Sequence, residues 1–229
     1  QGGGLEAPRS LVSVTFDDGP ALLAAGGYGT ALDGVQLAGN GQLQQGFALD
    51  LSAGEGPEAL TALTTSQSGG NSFLIGAGRE TDGLRVWLRG DDKILIEAEQ
   101  SLNIAIPSGT GSALTSNGEG EVLALSTTGN VLLRLQISAD GQLSELSRMT
   151  PDDGLWVTTP THLQVLEVAG QSYALIGAQG SSSISVVALD RGGGLRVTDH
   201  VVDDRDTRFS GVTVLEAVEI GGQIYVVAG

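Results

Sequence analysis

A pattern of short apolar segments recurs along this 229-residue chain at intervals close to 50 residues. Each segment is an apolar run that leads into small residues or glycine. Aligned on one position of that run, the residues Leu22, Phe73, Val122, Tyr173 and Ile224 are separated by 51, 49, 51 and 51 residues. Turn-like pieces rich in Gly, Asn and Asp give a second landmark, with ends at Leu43, Ile94, Leu143 and Leu195 that are 51, 49 and 52 residues apart. Because two independent landmarks agree, we interpret the chain as a repeat protein.

Each unit reads as four short strands. The first two strands are joined by a glycine-rich hairpin loop such as Gly221-Gly222, where a primed turn needs positive φ. In the third strand, apolar residues two apart, such as Val187 and Leu189, lie on one face. An Asn-Gly or Asp-Gly pair then turns the chain into the fourth strand. A four-stranded antiparallel meander with this period predicts an all-β fold, a β-propeller.

The repeat also predicts how the chain is divided. We expect an N-terminal tail at residues 1–10 and one propeller over residues 11–229. Its blades are predicted at 11–57, 58–107, 108–159 and 160–209, with half of a fifth blade at 210–229. Propellers close with about four to eight blades, and an unpaired strand edge is a liability. We therefore expect an incomplete propeller, whose sheet is completed by a missing remainder of the chain or by another copy.

Composition excludes several classes of function. The formal net charge is −16 and basic clusters are missing, so nucleic acid and anionic membrane surfaces are not expected as partners. No apolar run is long enough to span a bilayer, so membrane insertion is not expected. Cysteine is absent, which rules out disulfides and thiolate metal sites. Carboxylates at loop tips could instead hold hard cations such as Ca²⁺.

One stretch of sequence resembles a known family. A D-x-x-T-R-F-x-G-V-T connection precedes a hairpin that ends V-V-A-G, and its residues here are Asp204, Thr207, Arg208, Phe209, Gly211, Val212 and Thr213. This pattern resembles the N-terminal β-propeller region of bacterial hemolysin-type (RTX-like) calcium-binding proteins, mainly over residues 172–229. The resemblance implies a secreted or surface-exposed bacterial protein with calcium-binding nonapeptides after the propeller. Those nonapeptides are not found in this sequence, so the family's calcium ligands are carried onto no residue here.

The chain offers few candidate site residues. Asp203, Asp204 and Asp206 are candidate Ca²⁺ ligands because three acids fall within four residues, although such acids more often support a turn. Arg208 and Phe209 are predicted to anchor a connection between blades, with Phe209 buried and Arg208 bridging to an acid.

A further candidate is Trp87, which we align with Gln36, Gln136 and Ala188 on the third strands. Trp87 is therefore a candidate interaction residue that could stack on a sugar or a partner. The alternative is packing between blades.

Three functions follow from these observations. The first is a non-catalytic interaction or scaffold module of a secreted, calcium-associated protein, whose partner is a protein or a surface polysaccharide. The second is a lactonase-like propeller enzyme, in which His162 or His200, the two histidines of the chain, would be essential. The third is a structural subunit of an extracellular filament or virion that assembles through its open β edge. The sequence assigns no catalytic residue and no organic cofactor.

Overall fold

The computed structural model describes residues 8–26, 32–51, 60–78, 84–90, 93–98, 113–117, 120–126 and 129–229. Within these residues there are nineteen β-strands, no α-helix and one short 3-10 turn at Pro151–Asp153. The strands are β1 (Pro8–Phe16), β2 (Gly19–Gly26), β3 (Asp33–Leu37), β4 (Leu43–Ala48), β5 (Asp50–Leu51), β6 (Leu60–Ser68), β7 (Asn71–Gly78), β8 (Leu84–Arg89), β9 (Ile94–Glu97), β10 (Ala113–Ser116), β11 (Glu121–Ser126), β12 (Val131–Ile137), β13 (Leu143–Met149), β14 (Pro160–Val168), β15 (Gln171–Ala178), β16 (Ser183–Leu189), β17 (Leu195–Val202), β18 (Leu215–Ile220) and β19 (Gln223–Ala228). The predicted all-β class is confirmed.

Each sheet is a meander of consecutive strands. Three sheets have the order β1-β2-β3-β4, β10-β11-β12-β13 and β14-β15-β16-β17, and β18 and β19 form a two-stranded sheet. In the remaining sheet β6 to β9 form the meander, and β5 is added at its outer edge by parallel pairing with β9. The predicted four-stranded blade is therefore confirmed. Blade one is the sheet of β1 to β4, blade two that of β5 to β9, blade three that of β10 to β13 and blade four that of β14 to β17. Strands β18 and β19 are called the half-blade.

The blade boundaries differ from the predicted ranges in two places. Strand β1 begins at Pro8, inside the segment predicted as a tail, and Asp50–Leu51, predicted in the first blade, pairs with the second. The predicted boundaries at 57/58 and 107/108 lie outside the described residues.

Apolar cores lie between consecutive blades, and the first strand of each blade contacts the first strand of the next. The core between blades one and two contains Leu23, Leu74 and Trp87. Corresponding cores join blades two and three, and blades three and four, while a smaller one joins blade four to the half-blade. Blades two, three and four thus bury both faces against neighbouring sheets, which explains why their second strands are apolar almost throughout.

Strand register corrects the predicted alignment of the repeats. The second strands begin at Gly19, Asn71, Glu121, Gln171 and Gln223, which are 52, 50, 50 and 52 residues apart. Counted from these starts, Ala21, Phe73, Leu123, Tyr173 and Tyr225 are equivalent. The predicted alignment therefore placed Leu22, Val122 and Ile224 one residue out of register. The fourth strands, in contrast, do begin at the predicted Leu43, Ile94, Leu143 and Leu195.

The register decides the environment of Trp87. Trp87 pairs with Leu74, as Val35 pairs with Leu22 and Val187 with Ala174. Its equivalents are therefore apolar positions, of which Val187 is buried and Val35 half-buried, and not Gln36 or Gln136. Because a slip of one residue moves a side chain to the opposite face, the residue predicted to be exposed is only 1% exposed. The prediction that Trp87 is an interaction residue is wrong, since its ring packs between blades.

Candidate ligand-binding site between blades one and two

A cavity of about 280 Å³ lies between blades one and two. Its walls come mainly from the first strands β1 and β6, with contributions from β2, β7, β8 and β9. The lining residues are Ser13, Val14, Thr15, Phe16, Leu23, Thr65, Ser66, Gln67, Ser72, Phe73, Leu74, Arg89 and Leu95. Apolar residues, hydroxyl-bearing residues, an amide and one guanidinium group thus line one cavity that is partly open to solvent.

The alternation of side chains along β8 explains why Arg89 lies at this cavity. In β8 the residues Arg85, Trp87 and Arg89 share the face that packs toward blade one, while Val86 belongs to the core shared with blade three. The Nη1 atom of Arg89 donates a hydrogen bond across the interface to the backbone carbonyl oxygen of Thr15. Arg89 therefore lies at the junction of the two blades.

Arg89 has unused hydrogen-bonding capacity. A guanidinium group carries five N–H donors, and the contact with Thr15 uses one of them. The ion pairs formed within the described part of the chain involve other cations, namely Arg85, Lys93, Arg134 and Arg148. Among the described residues no carboxylate forms an ion pair with Arg89, so within this part of the chain its guanidinium group is available to an anion.

A polar clamp lies beside the cavity. Lys93, the single lysine of the chain, has its Nζ 2.7 Å from Asp18 Oδ2 and 3.1 Å from Gln36 Oε1. The same Nζ lies 4.3 Å from the centre of the Phe47 ring, a cation–π contact. The hydrogen bond from Lys93 lowers the pKa of the Asp18 carboxyl below its usual value. The clamp fastens Lys93 of the second blade to Asp18 and Gln36 of the first.

The cavity has the chemistry of a small-molecule site. Ligand sites usually combine apolar walls with a few polar groups, and their volumes start at about 300 Å³. A cavity of about 280 Å³ is thus large enough only for a small ligand. A guanidinium group binds carboxylate or carbonyl oxygens, and the surrounding hydroxyls can both donate and accept hydrogen bonds. The arrangement suits a small, hydroxylated molecule that carries negative charge or a polarised carbonyl.

The three aspartates predicted as calcium ligands lie in the connection between β17 and β18. Asp203 Oδ1 accepts the N–H of Phe209 at 2.7 Å, and Asp204 Oδ1 accepts the N–H groups of Asp206 and Thr207 at 2.8 and 2.9 Å. The hydrogen bonds from Thr207 lower the pKa of the Asp204 carboxyl. Among the described residues no three His, Asp or Glu side chains are grouped so that they could hold a metal ion. Two of the three carboxylates thus close a turn, and calcium binding here stays a prediction.

Arg208 and Phe209 lie in the same connection. Phe209 is half-buried against the small core between blade four and the half-blade. Arg208 has a positive φ of 53°, and its Nε donates to the carbonyl oxygen of Arg205 at 2.9 Å. The predicted bridge from Arg208 to an acid is wrong within the described residues, because the turn directs the side chain back onto its own backbone.

The two histidines do not form one site. His162 is on β14 and His200 on β17, which are the two outer strands of the same sheet. Burial lowers the pKa of His162, an effect that the nearby Glu216 carboxylate partly offsets. His200 Nδ1 lies 2.8 Å from the Ser185 hydroxyl. A catalytic pair of these histidines is therefore not supported.

Sequence reasoning missed Arg89 and the hydroxyl-bearing residues around it. One feature of the sequence could have identified Arg89. The segment R-V-W-L-R places Arg85, Trp87 and Arg89 on one face of a strand, and two arginines on a buried face need partners. Arg85 finds one in Glu97, with an N–O distance of 2.6 Å, which leaves Arg89 as the cation of interest.

In the described residues no helix has the length and apolar character needed to cross a membrane. No family model matches the chain, and no curated protein matches it.

Solved structures do match. A functionally unknown protein from Desulfotomaculum acetoxidans is 14% identical with a TM-score of 0.62, covering 95% of this chain and 62% of that one. A putative 6-phosphogluconolactonase from Bacteroides fragilis is 18% identical with a TM-score of 0.58, covering 85% of this chain and 55% of that one. The periplasmic gluconolactonase of Pseudomonas aeruginosa is 20% identical with a TM-score of 0.58, covering 82% and 53%.

At such identities the likeness shows the fold alone. The chain spans between 53% and 62% of the length of these three structures. Hemolysin-type proteins are not among the three, so the resemblance to that family stays a prediction. Together with the sheet order, these likenesses establish that the chain has a β-propeller fold of the kind found in lactonase-type proteins.

Proposed function

We propose that this protein binds a small sugar acid or sugar lactone in the cavity between blades one and two. The observation that carries the proposal is Arg89, a cation without a carboxylate partner among the described residues, which lines a cavity rich in hydroxyl groups. In this role Arg89 holds the carboxylate, or the lactone carbonyl, through charge-assisted hydrogen bonds. Thr65 and Ser72, which share with Leu74 the strand faces directed toward blade one, are the candidates for binding the ligand's hydroxyl groups.

Two further points support this ligand class. Phe16 and Leu74 give the cavity an apolar wall, against which the C–H groups of a sugar can pack. Two of the similar solved propellers are described as a putative 6-phosphogluconolactonase and a gluconolactonase. Hydrolysis of a bound lactone is the second candidate function, and these two descriptions favour it. The scaffold role predicted from the sequence has no corresponding support, and its calcium association and extracellular location stay predictions.

The proposal is tested by isothermal titration calorimetry with D-gluconate and D-glucono-1,5-lactone. The unmodified protein is expected to give saturable binding of at least one of them, and Arg89→Met to weaken it at least tenfold. Arg89→Lys should keep part of the affinity, because the charge remains but the planar fork is lost. Arg196→Met, which removes one charge from an exposed strand position, is the matched control and should bind normally.

The same samples decide between binding and hydrolysis. Proton release from the lactone is followed against a protein-free blank. Release above the blank that Arg89→Met abolishes would support the enzyme, and binding without release would support a binding protein. If neither compound binds the unmodified protein, or if folded Arg89→Met binds as tightly, the proposal is wrong.

A further inference from the structure

A second candidate site lies around Trp156, on the rim between blades three and four and apart from the cavity. Trp156 is 68% exposed, whereas its neighbours Leu155 and Val157 are only 0% and 2% exposed. Both neighbours belong to the core between these blades. Because they are anchored inward on either side, the indole ring between them is directed to solvent.

The backbone that carries Trp156 is held by hydrogen bonds on both sides. Thr150 and Asp153 cap the preceding 3-10 turn, with Asp153 Oδ2 accepting from the Thr150 N–H at 3.0 Å and from its hydroxyl at 2.8 Å. The Leu155 N–H donates to Thr150 O at 3.1 Å, and the Val157 N–H donates to Leu155 O at 2.9 Å. The exposed ring therefore sits on a pre-organised connection, which lowers the entropic cost of binding.

An imidazole ring stands beside the indole. The centres of the Trp156 and His200 rings are 6.3 Å apart, and the ring planes meet at 86°. His200 Nδ1 lies 2.8 Å from the hydroxyl of Ser185, which is 1% exposed and therefore fixed in the sheet. The Nε2 atom of His200 has no hydrogen-bond partner among the described residues. A polar group is thus oriented next to the apolar ring.

Hydroxyl-bearing loops continue this polar surface. The Thr158 carbonyl oxygen accepts the N–H of Gly180 at 2.9 Å, and the Thr158 N–H donates to Ser181 Oγ at 3.1 Å. These bonds hold the β15–β16 loop against the segment that follows Trp156. Thr158 and Thr159 are both exposed. Trp156 thus has an imidazole on one side and two exposed threonines directly after it in the chain.

We infer that this surface binds a neutral saccharide. An aromatic face packs against the C–H groups of a pyranose ring, while imidazole and hydroxyl groups serve its hydroxyls. The net charge of −16 disfavours an acidic polysaccharide, so the ligand class is uncharged. An exposed tryptophan is also common in protein interfaces, and the test below separates that outcome.

Acrylamide quenching of tryptophan fluorescence reads this site directly. The chain has two tryptophans, and the other one, Trp87, is 1% exposed, so quenching reports Trp156. The probes are cellohexaose, maltohexaose and chitohexaose. At least one of them is expected to protect Trp156 from quenching in a saturable way.

Variants assign the protection to this surface. Trp156→Ala, followed by calorimetry with the protecting probe, should weaken binding at least tenfold, and His200→Ala should weaken it severalfold. Tyr225→Ala removes a 48% exposed aromatic ring from the half-blade and should bind normally. Arg89→Met should also bind normally, so this inference and the proposed function can fail separately.

The inference is overturned if none of the three probes protects Trp156, or if folded Trp156→Ala binds the protecting probe as tightly as the unmodified protein. It is also overturned if Trp156 is protected only by increasing protein concentration, because the surface would then be an interface between copies of this chain.

Discussion

Two interfaces between blades are each bridged by a cation, yet they are closed to different degrees. In both, the bridge reaches the loop between the third and fourth strands of the later blade. Between blades three and four, Arg134 is buried, and its guanidinium donates to Asp190 O at 2.7 Å and Gly194 O at 3.1 Å. Its other side pairs with Glu121 at 2.8 Å. Between blades one and two, the bridging side chains of Lys93 and Asp18 are 27% and 54% exposed.

The cores beneath these bridges differ too. The core between blades three and four is filled by aliphatic side chains with one methionine. The core between blades one and two contains Trp87, whose Nε1 is buried and has no hydrogen-bond partner among the residues that the structure describes. The cavity with Arg89 lies in the same interface. Arg134, whose guanidinium is fully hydrogen-bonded above an aliphatic core, closes the interface between blades three and four. The exposed Lys93–Asp18 pair, near the large ring of Trp87, leaves space for a cavity between blades one and two. The comparison therefore separates an interface that serves stability from one that can admit a ligand.

The largest expected effect comes from Trp87. Trp87→Ala should lower the free energy of unfolding by about 3–5 kcal/mol, because it leaves a large cavity in a packed core. Trp87→Leu should lower the free energy of unfolding by less, because leucine occupies the equivalent position of blade three, Leu133. The substitution also removes the buried indole N–H, which has no hydrogen-bond partner among the described residues. Both are measured by urea denaturation. If both variants lost the same free energy of unfolding, the volume of the side chain at position 87 would not be what stabilises the interface between blades one and two.

The interface between blades three and four is tested at Arg134. Arg134→Met should lower the free energy of unfolding by about 3 kcal/mol, because it leaves Glu121 without its buried partner and removes the side-chain donor from the carbonyl oxygens of Asp190 and Gly194, which keep only their backbone N–H donors. Arg148→Met is the control, since Arg148 pairs with Glu145 at an exposed position. A loss for Arg134→Met no larger than that of the control would contradict the view that this bridge closes the interface.

The smallest effect is expected at the exposed bridge, and it depends on pH. The lowered pKa of Asp18 means that the bridge stabilises the fold above the usual aspartate pKa, and that this contribution is lost as pH falls through the lower, folded pKa. Lys93→Met should therefore lower the midpoint of thermal unfolding by no more than about 2 °C at pH 7 and less at pH 3. Scanning calorimetry of both proteins at the two pH values measures the difference. A larger shift at pH 3 than at pH 7 would contradict this account.

How far the sequence predicted the fold can be seen from single residues. The starts of the fourth strands at Leu43 and Leu195 were predicted correctly, because turn residues leave a local signal. The register of the second strands was not, because an apolar run buried on both faces has no alternation to fix it. Because of that error of one residue, Trp87 was predicted on the exposed face of its strand, whereas it packs in the core between blades one and two. Arg89 was missed for a related reason, since its partner Thr15 is 74 residues away in the sequence.

The sequence by itself determined the all-β class, the meander of four strands and the repeat of about 50 residues. These features depend on local propensity, turn chemistry and periodicity, which are all written along the chain. Only the tertiary structure decided which face of each strand meets which neighbour, and hence that Arg89 lines a cavity and Trp156 faces solvent. Side-chain environment depends on contacts between residues far apart in sequence, and a shift of one residue along a strand reverses it.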